Sequence, residues 1–170
     1  MKILFPTELE AAPLRDLCPD AEIVICGVGM AQTAACVARL LCDGEREFLL
    51  AGIAGAYDGS GLVKGDVVAV AEERVAGLPA QFDRAYRATS VPKCLCTVCS
   101  NTVAACGATA YGARVENMEG AALFALCEEF GAECAEVRAI SNRVGEPRES
   151  WDIPLALENL ALVVRGMISK

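Results

Sequence analysis

The amino-acid sequence predicts an α/β fold, in which helices cover both faces of a mostly parallel sheet. The chain has 170 residues, of which 54% are hydrophobic and 22% charged, as in a globular protein with a substantial core. Short apolar segments alternate along it with segments of helical periodicity. No internal repeat, linker or low-complexity tract interrupts this alternation. We therefore expect a single domain spanning residues 1–170.

The first predicted strand is KILF (2–5), and a helix follows it. Thr7 is a suitable N-cap, because its hydroxyl can accept a hydrogen bond from the first helical turn. Glu8 and Glu10 stand in that turn, where the helix dipole favours negative charge. The sequence thus places two carboxylates directly after the first strand.

Glycines punctuate the next two predicted strands. EIVICGVG (22–29) ends in a glycine turn before a helix that runs to about Cys42, and EFLLAGIAGA (47–56) breaks into glycines. A turn at 58–61 leads to a further strand, GDVVAVAEE (65–73). Glycine turns that follow strands are common where a ligand approaches the backbone.

The second half continues the alternation after a less regular stretch. Residues 76–93 are predicted as a loop with a short helix. Strands are predicted at 93–98, up to Glu116 and at 134–141, and helices from about Met118 to Phe130 and from near Asp152 to the end, with Pro154 in the first turn.

Charge and composition exclude several classes of function. The net charge is −8 and only four lysines are present, so a nucleic-acid partner is not expected. No apolar run is long enough to cross a bilayer, and the acidic start MKILFPTELE is unlike a signal peptide. We expect a cytoplasmic protein without a membrane partner.

The sequence has no histidine, which removes Ser–His and Cys–His catalysis and histidine metal sites. It has ten cysteines, and those at 26, 36, 42, 127 and 134 lie in apolar segments, where they are expected to act as small hydrophobes. Zinc binding by Cys94, Cys96, Cys99 and Cys106 is a weaker alternative, because CLCTVC lacks paired CxxC knuckles. No metal or cofactor is expected.

Five segments that follow strands carry the candidate chemistry, and with no histidine available their carboxylates must do any acid–base work. Such a set of carboxylates suits glycosidic bond cleavage, in which one activates water and others stabilise an oxocarbenium ion. The segments are Thr7–Glu10, Gly27–Gly29, Gly52–Gly55, Glu116–Glu119 and Ser141–Asn142.

The segment VENMEGAALFALCEEFGAECAEVRAISNRV (115–144) resembles the nucleoside phosphorylase and nucleosidase superfamily and, within it, the futalosine hydrolase family. Its NMEG turn and RAISN strand end have the separation found in that superfamily. TELEAAP (7–13), CGVGMAQTA (26–34), GIAGAY…KGDVV (52–68) and PRESWDIPLALENLA (147–161) extend the likeness in the same order. The resemblance implies a three-layer α/β/α sandwich with a mixed, partly barrel-like sheet.

The resemblance also implies roles for individual residues. It places the water-activating carboxylate at Glu10 and the ribose-binding carboxylate at Glu119, with Met118 packing under the sugar and Asn117 lining the same pocket. It places the residue that handles the base at Asn142, where adenine-specific relatives have Asp and 6-oxopurine enzymes have Asn.

Three further residues are expected to line the pocket. Ile53 stands where some relatives carry Ser, and Val98 and Cys99 are expected beside the base. Phosphorylases of the superfamily have a phosphate-binding Ser after the first glycine turn, whereas this chain has GVGMAQT. The resemblance therefore favours a hydrolase over a phosphorylase.

The function implied is hydrolysis of futalosine to hypoxanthine and a ribosyl-linked benzoate, dehypoxanthine futalosine, in menaquinone biosynthesis. The enzyme alternatives are a methylthioadenosine/S-adenosylhomocysteine nucleosidase and a purine nucleoside phosphorylase. A nucleoside-binding protein with weak or no catalysis is the alternative outside enzymes, because the chain is shorter than the known relatives across 71–95. Relatives form homodimers, so a homodimer or higher homo-oligomer is expected.

Overall fold

The computed structural model describes residues 1–169. Its thirteen elements, in chain order, are β1 (Lys2–Phe5), α1 (Glu8–Leu17), β2 (Ile23–Ile25), α2 (Met30–Cys42), β3 (Glu47–Ala56), β4 (Val67–Val75), β5 (Ala85–Arg87), β6 (Cys96–Thr102), β7 (Val115–Asn117), α3 (Gly120–Phe130), β8 (Glu133–Arg143), a single 3₁₀ turn (Arg148–Ser150) and α4 (Ile153–Ile168).

The strands form one mixed sheet that closes on itself. The strand order β2-β1-β3-β7-β6-β4-β5 describes an open sheet, but β8 pairs with both β3 and β4. The ring β3-β7-β6-β4-β8 is therefore a closed barrel, with β1 and β2 extending it beside β3 and β5 beside β4. Only the β3–β7, β4–β8 and β4–β5 pairings in the described chain are antiparallel. The mixed, partly barrel-like sheet implied by the resemblance is confirmed.

Two apolar cores separate the three layers. On one side of the sheet, α1 and α4 pack over a core that includes Phe5, Leu14 and Leu160. On the other side, α2 and α3 pack over a second core that includes Leu41 and Phe124. Across residues 1–169, no helix combines the length and the apolar character needed to span a membrane.

The α1 and α4 starts form as predicted. The Thr7 hydroxyl oxygen accepts the Glu10 N–H at 3.2 Å, and Asp152 caps α4 by accepting the Leu155 N–H at 3.2 Å. Each cap satisfies a backbone N–H of the first helical turn and so fixes where the helix begins.

Other predicted boundaries were wrong. Residues 76–93 hold the edge strand β5, not a short helix, because Ala85–Arg87 pair with β4. The strand expected at 93–98 is shifted to Cys96–Thr102, and the strand expected at 22–29 is only three residues long. Cys42 is exposed at the end of α2 and does not pack as a small hydrophobe.

Candidate active site

A cavity of about 350 Å³ opens at the carboxyl ends of the parallel strands β1, β3 and β8, the usual position of ligand sites in such sheets. The strands β6 and β7 run in the opposite direction and also end beside it. Both carboxylates singled out by the sequence face it. Its walls comprise Pro6, Thr7, Leu9, Glu10, Val28, Ile53, Ala54, Gly55, Val103, Cys106, Glu116, Asn117, Met118, Glu119, Ser141, Asn142, Arg148, Trp151 and Ile153.

Glu10 presents a buried carboxylate to this cavity from the first turn of α1, with only 8% of the residue exposed. Its Oε2 accepts the Thr7 hydroxyl at 2.7 Å, and its Oε1 accepts the Ile53 backbone N–H at 3.0 Å. A carboxylate can accept about four hydrogen bonds, so both oxygens keep acceptor capacity. Glu10 is thus held in place by two donors and still able to take a proton from a water in the cavity.

Glu119 lies directly before α3 and is almost completely buried. Its Oε1 accepts the Gly29 N–H at 2.9 Å, and its Oε2 lies 3.2 Å from Arg138 Nη1 in an ion pair. Gly29 has a positive φ of 86°, which glycine adopts without strain. The glycine turn after β2 therefore serves to hold the Glu119 carboxylate.

Arg138 is buried behind the carboxylates of Glu10 and Glu119 and contacts several groups at once. Its Nη1 donates to the Ile53 carbonyl at 3.3 Å, and its Nη2 donates to Asn117 Oδ1 at 3.0 Å. Burial disfavours the guanidinium charge, but Glu136 and Glu119 outweigh it and raise the pKa of Arg138 above its usual range. Arg138 stays charged and links the Ile53 peptide, which holds Glu10, to Glu119.

Asn117 lines the cavity, but its polar atoms are engaged within the protein. Its Oδ1 accepts the backbone N–H groups of Glu119 and Gly120, both at 2.8 Å. Its Nδ2 donates to Ser100 Oγ at 2.9 Å and to Glu73. The side chain thus fixes the start of α3 and offers no free amide proton to a ligand.

Asn142 ends β8 with part of its amide free. Its Oδ1 accepts the Ser141 hydroxyl at 2.8 Å, and its Nδ2 donates to the Arg143 carbonyl at 2.9 Å. One N–H and one oxygen lone pair remain for a ligand. This pattern fixes the amide orientation, because the flipped amide would set its oxygen against the Arg143 carbonyl.

Apolar side chains line the space between these polar groups. Met118 and Ile53 are both half-buried and both reach the cavity. Val98 and Cys99, expected beside the base, do not line it: Val98 lies in the core and Cys99 is exposed. Because β6 runs to Thr102, Val103 is the residue that this strand brings to the cavity.

Two features of the cavity involve residues to which the sequence assigned no individual role. Glu116 is buried and accepts the Tyr57 hydroxyl at 2.9 Å and the Gly107 N–H at 2.7 Å, so it anchors the loop before β7. Arg148 and Trp151 reach the cavity from the 3₁₀ turn, with the guanidinium carbon 4.3 Å from the centre of the indole ring. The PRESW sequence carries no periodicity that indicates this turn.

Among residues 1–169, no group of three or more His, Cys, Asp or Glu side chains is placed to bind a metal ion. The four cysteines considered for zinc, Cys94, Cys96, Cys99 and Cys106, are all exposed.

The comparison with known sequences matches the part of the chain that holds the NMEG and RAISN motifs. Residues 94–169 match the family described as the phosphorylase superfamily. A 61-residue segment is 41% identical to futalosine hydrolase from Thermus thermophilus and covers 35% of this chain. That segment spans only 27% of the length of the Thermus protein. The predicted resemblance to the superfamily is confirmed.

Solved structures share the fold over nearly the whole chain. A futalosine hydrolase mutant of Helicobacter pylori superposes with a TM-score of 0.84 at 15% identity, covering 99% of this chain and 97% of that one. A 5′-methylthioadenosine/S-adenosylhomocysteine nucleosidase from the same organism, bound to butyl-thio-DADMe-Immucillin-A, has the same TM-score and coverage at 16% identity. The nucleosidase of Arabidopsis thaliana that acts on 5′-methylthioadenosine has a TM-score of 0.85 at 16% identity, covering 99% of this chain and 93% of that one. The three-layer fold is therefore confirmed.

Proposed function

We propose that this chain, whose residues 94–169 match the phosphorylase superfamily, is a purine nucleosidase that cleaves the N-glycosidic bond with water. The observation that carries the proposal is the pair Glu10 and Glu119: two buried carboxylates that line one cavity and are joined through Ile53 and Arg138. Their two charges suit a reaction whose transition state is a ribosyl cation.

The reaction follows from the free atoms of these side chains. The bond between C1′ and the base breaks, its electrons leave with the purine, and N7 of the purine takes a proton from the solvent. Glu119 binds the ribose hydroxyls and, with Glu10, stabilises the cationic sugar. Water adds to C1′ and gives its proton to a free lone pair of Glu10, which then releases that proton to the solvent, so one water is consumed and no net proton.

The base that this site fits best is a 6-oxopurine. The free N–H of Asn142 can donate to O6, and the free lone pair of Asn142 Oδ1 can accept from protonated N7. An adenine presents an amino group at the position of O6, and that group would face the amide N–H as a second donor. Asn142 therefore favours hypoxanthine over adenine as the base.

Arg148 favours a nucleoside with an anionic 5′ extension. It is the one basic side chain among the described residues that line the cavity. No acidic side chain forms a salt bridge with it in residues 1–169. An arginine stacked on an indole suits a benzoate, whose carboxylate it can bind and whose ring Trp151 can contact. Futalosine carries both the benzoate and hypoxanthine, so we infer futalosine as the substrate and menaquinone biosynthesis as the pathway.

The experiment that tests this function is the release of free base from three nucleosides in phosphate-free buffer. We expect hypoxanthine from futalosine at the highest kcat/KM, slower release from inosine, and the slowest release of adenine from methylthioadenosine. Adenine released fastest would instead establish the methylthioadenosine nucleosidase, and no base from any nucleoside would leave a binding protein without catalysis.

The variant Arg148→Ala tests whether Arg148 contacts the 5′ substituent of the nucleoside. Losing a charge-assisted hydrogen bond at a partly solvated position should lower kcat/KM for futalosine about tenfold. Inosine, which lacks the benzoate, should be cleaved at the unchanged rate. Equal losses for both nucleosides would show that Arg148 does not contact the 5′ substituent.

A further inference from the structure

Behind the cavity, Glu73 on β4 and Glu136 on β8 form a pair of completely buried carboxyl groups. Glu136 Oε2 and Glu73 Oε1 lie on the same side of Gly120, where a Cβ atom would overlap both oxygens. Because these oxygens lie 2.4 and 2.5 Å from the same Cβ position, they are at most about 4.9 Å apart. Two carboxylates in such contact, away from water, repel each other strongly.

The hydrogen-bond partners of the pair leave one carboxyl oxygen without a donor. Glu73 Oε2 accepts the Thr102 hydroxyl at 2.8 Å, and Glu73 Oε1 accepts from Asn117 Nδ2. Glu136 Oε1 accepts Arg138 Nε at 2.7 Å. Glu136 Oε2 is the one buried side-chain nitrogen or oxygen in the described residues that has no partner. A proton between Glu73 Oε1 and Glu136 Oε2 would supply that partner.

We propose that Glu73 and Glu136 share one proton at neutral pH, and that the resulting pair is a positioning unit for Glu119. The charges around the pair agree with this. Arg138 is the buried cation that faces three buried carboxylates, those of Glu73, Glu136 and Glu119, and one proton reduces their net charge with Arg138 from −2 to −1.

Other titratable groups near the pair do not supply a second positive charge. Cys134 on β8 and Tyr57 after β3 also face it. Burial raises the pKa of Glu73 well above its ordinary value, and the charge of Glu136 raises it further. Burial likewise raises the pKa of Glu136, but Arg138 opposes that shift. We therefore place the proton on Glu73 and the charge on Glu136.

Two side-chain bridges connect the pair to Glu119. Glu136 holds Arg138, whose Nη1 forms the ion pair with Glu119 Oε2. Glu73 holds Asn117, whose Oδ1 accepts the Glu119 backbone N–H. Neither Glu73 nor Glu136 lines the cavity, so the pair acts on the reaction only through these bridges. The kinetic part of the inference rests on the proposed function, whereas the shared proton does not.

The shared proton can be measured without any substrate. Unfolded glutamates have lost their protons by pH 5.5, so folding must take up one proton between pH 5.5 and 7. Because the folded pKa is raised, this pair stabilises the fold most at the low end of that pH range, and its contribution falls as the pH rises. The unfolding equilibrium constant should increase about tenfold per pH unit. The chain has no histidine to obscure this window.

Glu136→Gln is the informative variant, because its amide can donate to Glu73 Oε1 while its oxygen still accepts from Arg138. With the like charge gone and an amide donor in its place, the pKa of Glu73 should fall although the side chain stays buried, so the pH slope should shift to lower pH. The infrared carboxylic-acid carbonyl band that we expect in the wild-type protein at pH 7 should weaken with it. Glu133→Gln, an exposed change on the same strand, is the control and should leave both signals unchanged.

Kinetics then test the positioning role. Glu136→Gln should keep kcat/KM within about threefold of the wild-type value, because both bridges survive. Glu136→Leu removes the acceptor for Arg138 Nε and should lower kcat/KM at least tenfold.

Three results would overturn the inference: no acid carbonyl band in the wild-type protein, a flat pH slope in the wild-type protein, or both signals persisting unchanged in Glu136→Gln. If the protein cleaves no nucleoside, the band and the slope still decide whether the proton is shared.

Discussion

Glu10→Gln should reduce hydrolysis by about 10²–10⁴-fold while leaving nucleoside binding nearly intact. The amide can still accept the Ile53 N–H through its oxygen, and the Thr7 hydroxyl can turn to accept from its nitrogen. The site therefore keeps its shape but loses the group that takes a proton from water. The measurement is the single-turnover rate of base release, together with the Kd of the nucleoside.

Glu8→Gln is the matched control for this variant. Glu8 lies in the same helical turn, is exposed and pairs with Arg15, so its change should leave rate and binding as they are. A Glu10→Gln protein that turns over at the wild-type rate would remove Glu10 from the chemistry.

Asn142→Asp should invert the preference between 6-oxopurine and 6-aminopurine nucleosides. The aspartate has no N–H for O6, and its second oxygen would lie against the Arg143 carbonyl that Asn142 Nδ2 now donates to. A site that leaves a buried polar group unpaired can discriminate by up to about 10⁴–10⁵. We expect the ratio of kcat/KM for futalosine to that for its adenine counterpart to fall by at least about 10²-fold.

Asn159→Asp separates this effect from a loss of stability. Asn159 Nδ2 also donates to a backbone carbonyl, that of Gly65 at 2.8 Å, but the side chain lies on α4 away from the cavity. The control should lower stability without moving the substrate ratio. If the ratio stays fixed in Asn142→Asp as well, Asn142 does not contact the base.

The parts of the site that follow strand ends could be predicted from the sequence. Glu10 lies in the first helical turn after β1 and Asn142 near the end of β8, and both strands are parallel to β3, so their carboxyl ends share one edge of the sheet. The alternation of strands and helices therefore predicts that Glu10 and Asn142 lie close together. Glu119 follows β7, which is antiparallel to β3, so its position depends on the register that pairs Glu116 with Gly55.

The rest depended on tertiary structure. Glu73 and Glu136 stand in strands where a charged residue is ordinarily solvated, but the closed sheet and the start of α3 bury both completely. The strand β6 begins three residues later than predicted, because its pairing with β4 sets its start. In this position Val98 lies in the core. Arg148 and Trp151 lie in an irregular segment, for which periodicity gives no information.

In the proposed reaction, water and not phosphate attacks the sugar. The Gly29 N–H, which could otherwise bind an anion, donates to Glu119. The measurement is the sugar product formed from futalosine in phosphate buffer, followed by phosphorus NMR and mass spectrometry alongside the rate of hypoxanthine release. We predict a free ribosyl hydroxyl product and a rate that does not change with phosphate concentration. A sugar 1-phosphate, formed at a rate that rises with phosphate concentration, would show that phosphate and not water is the nucleophile.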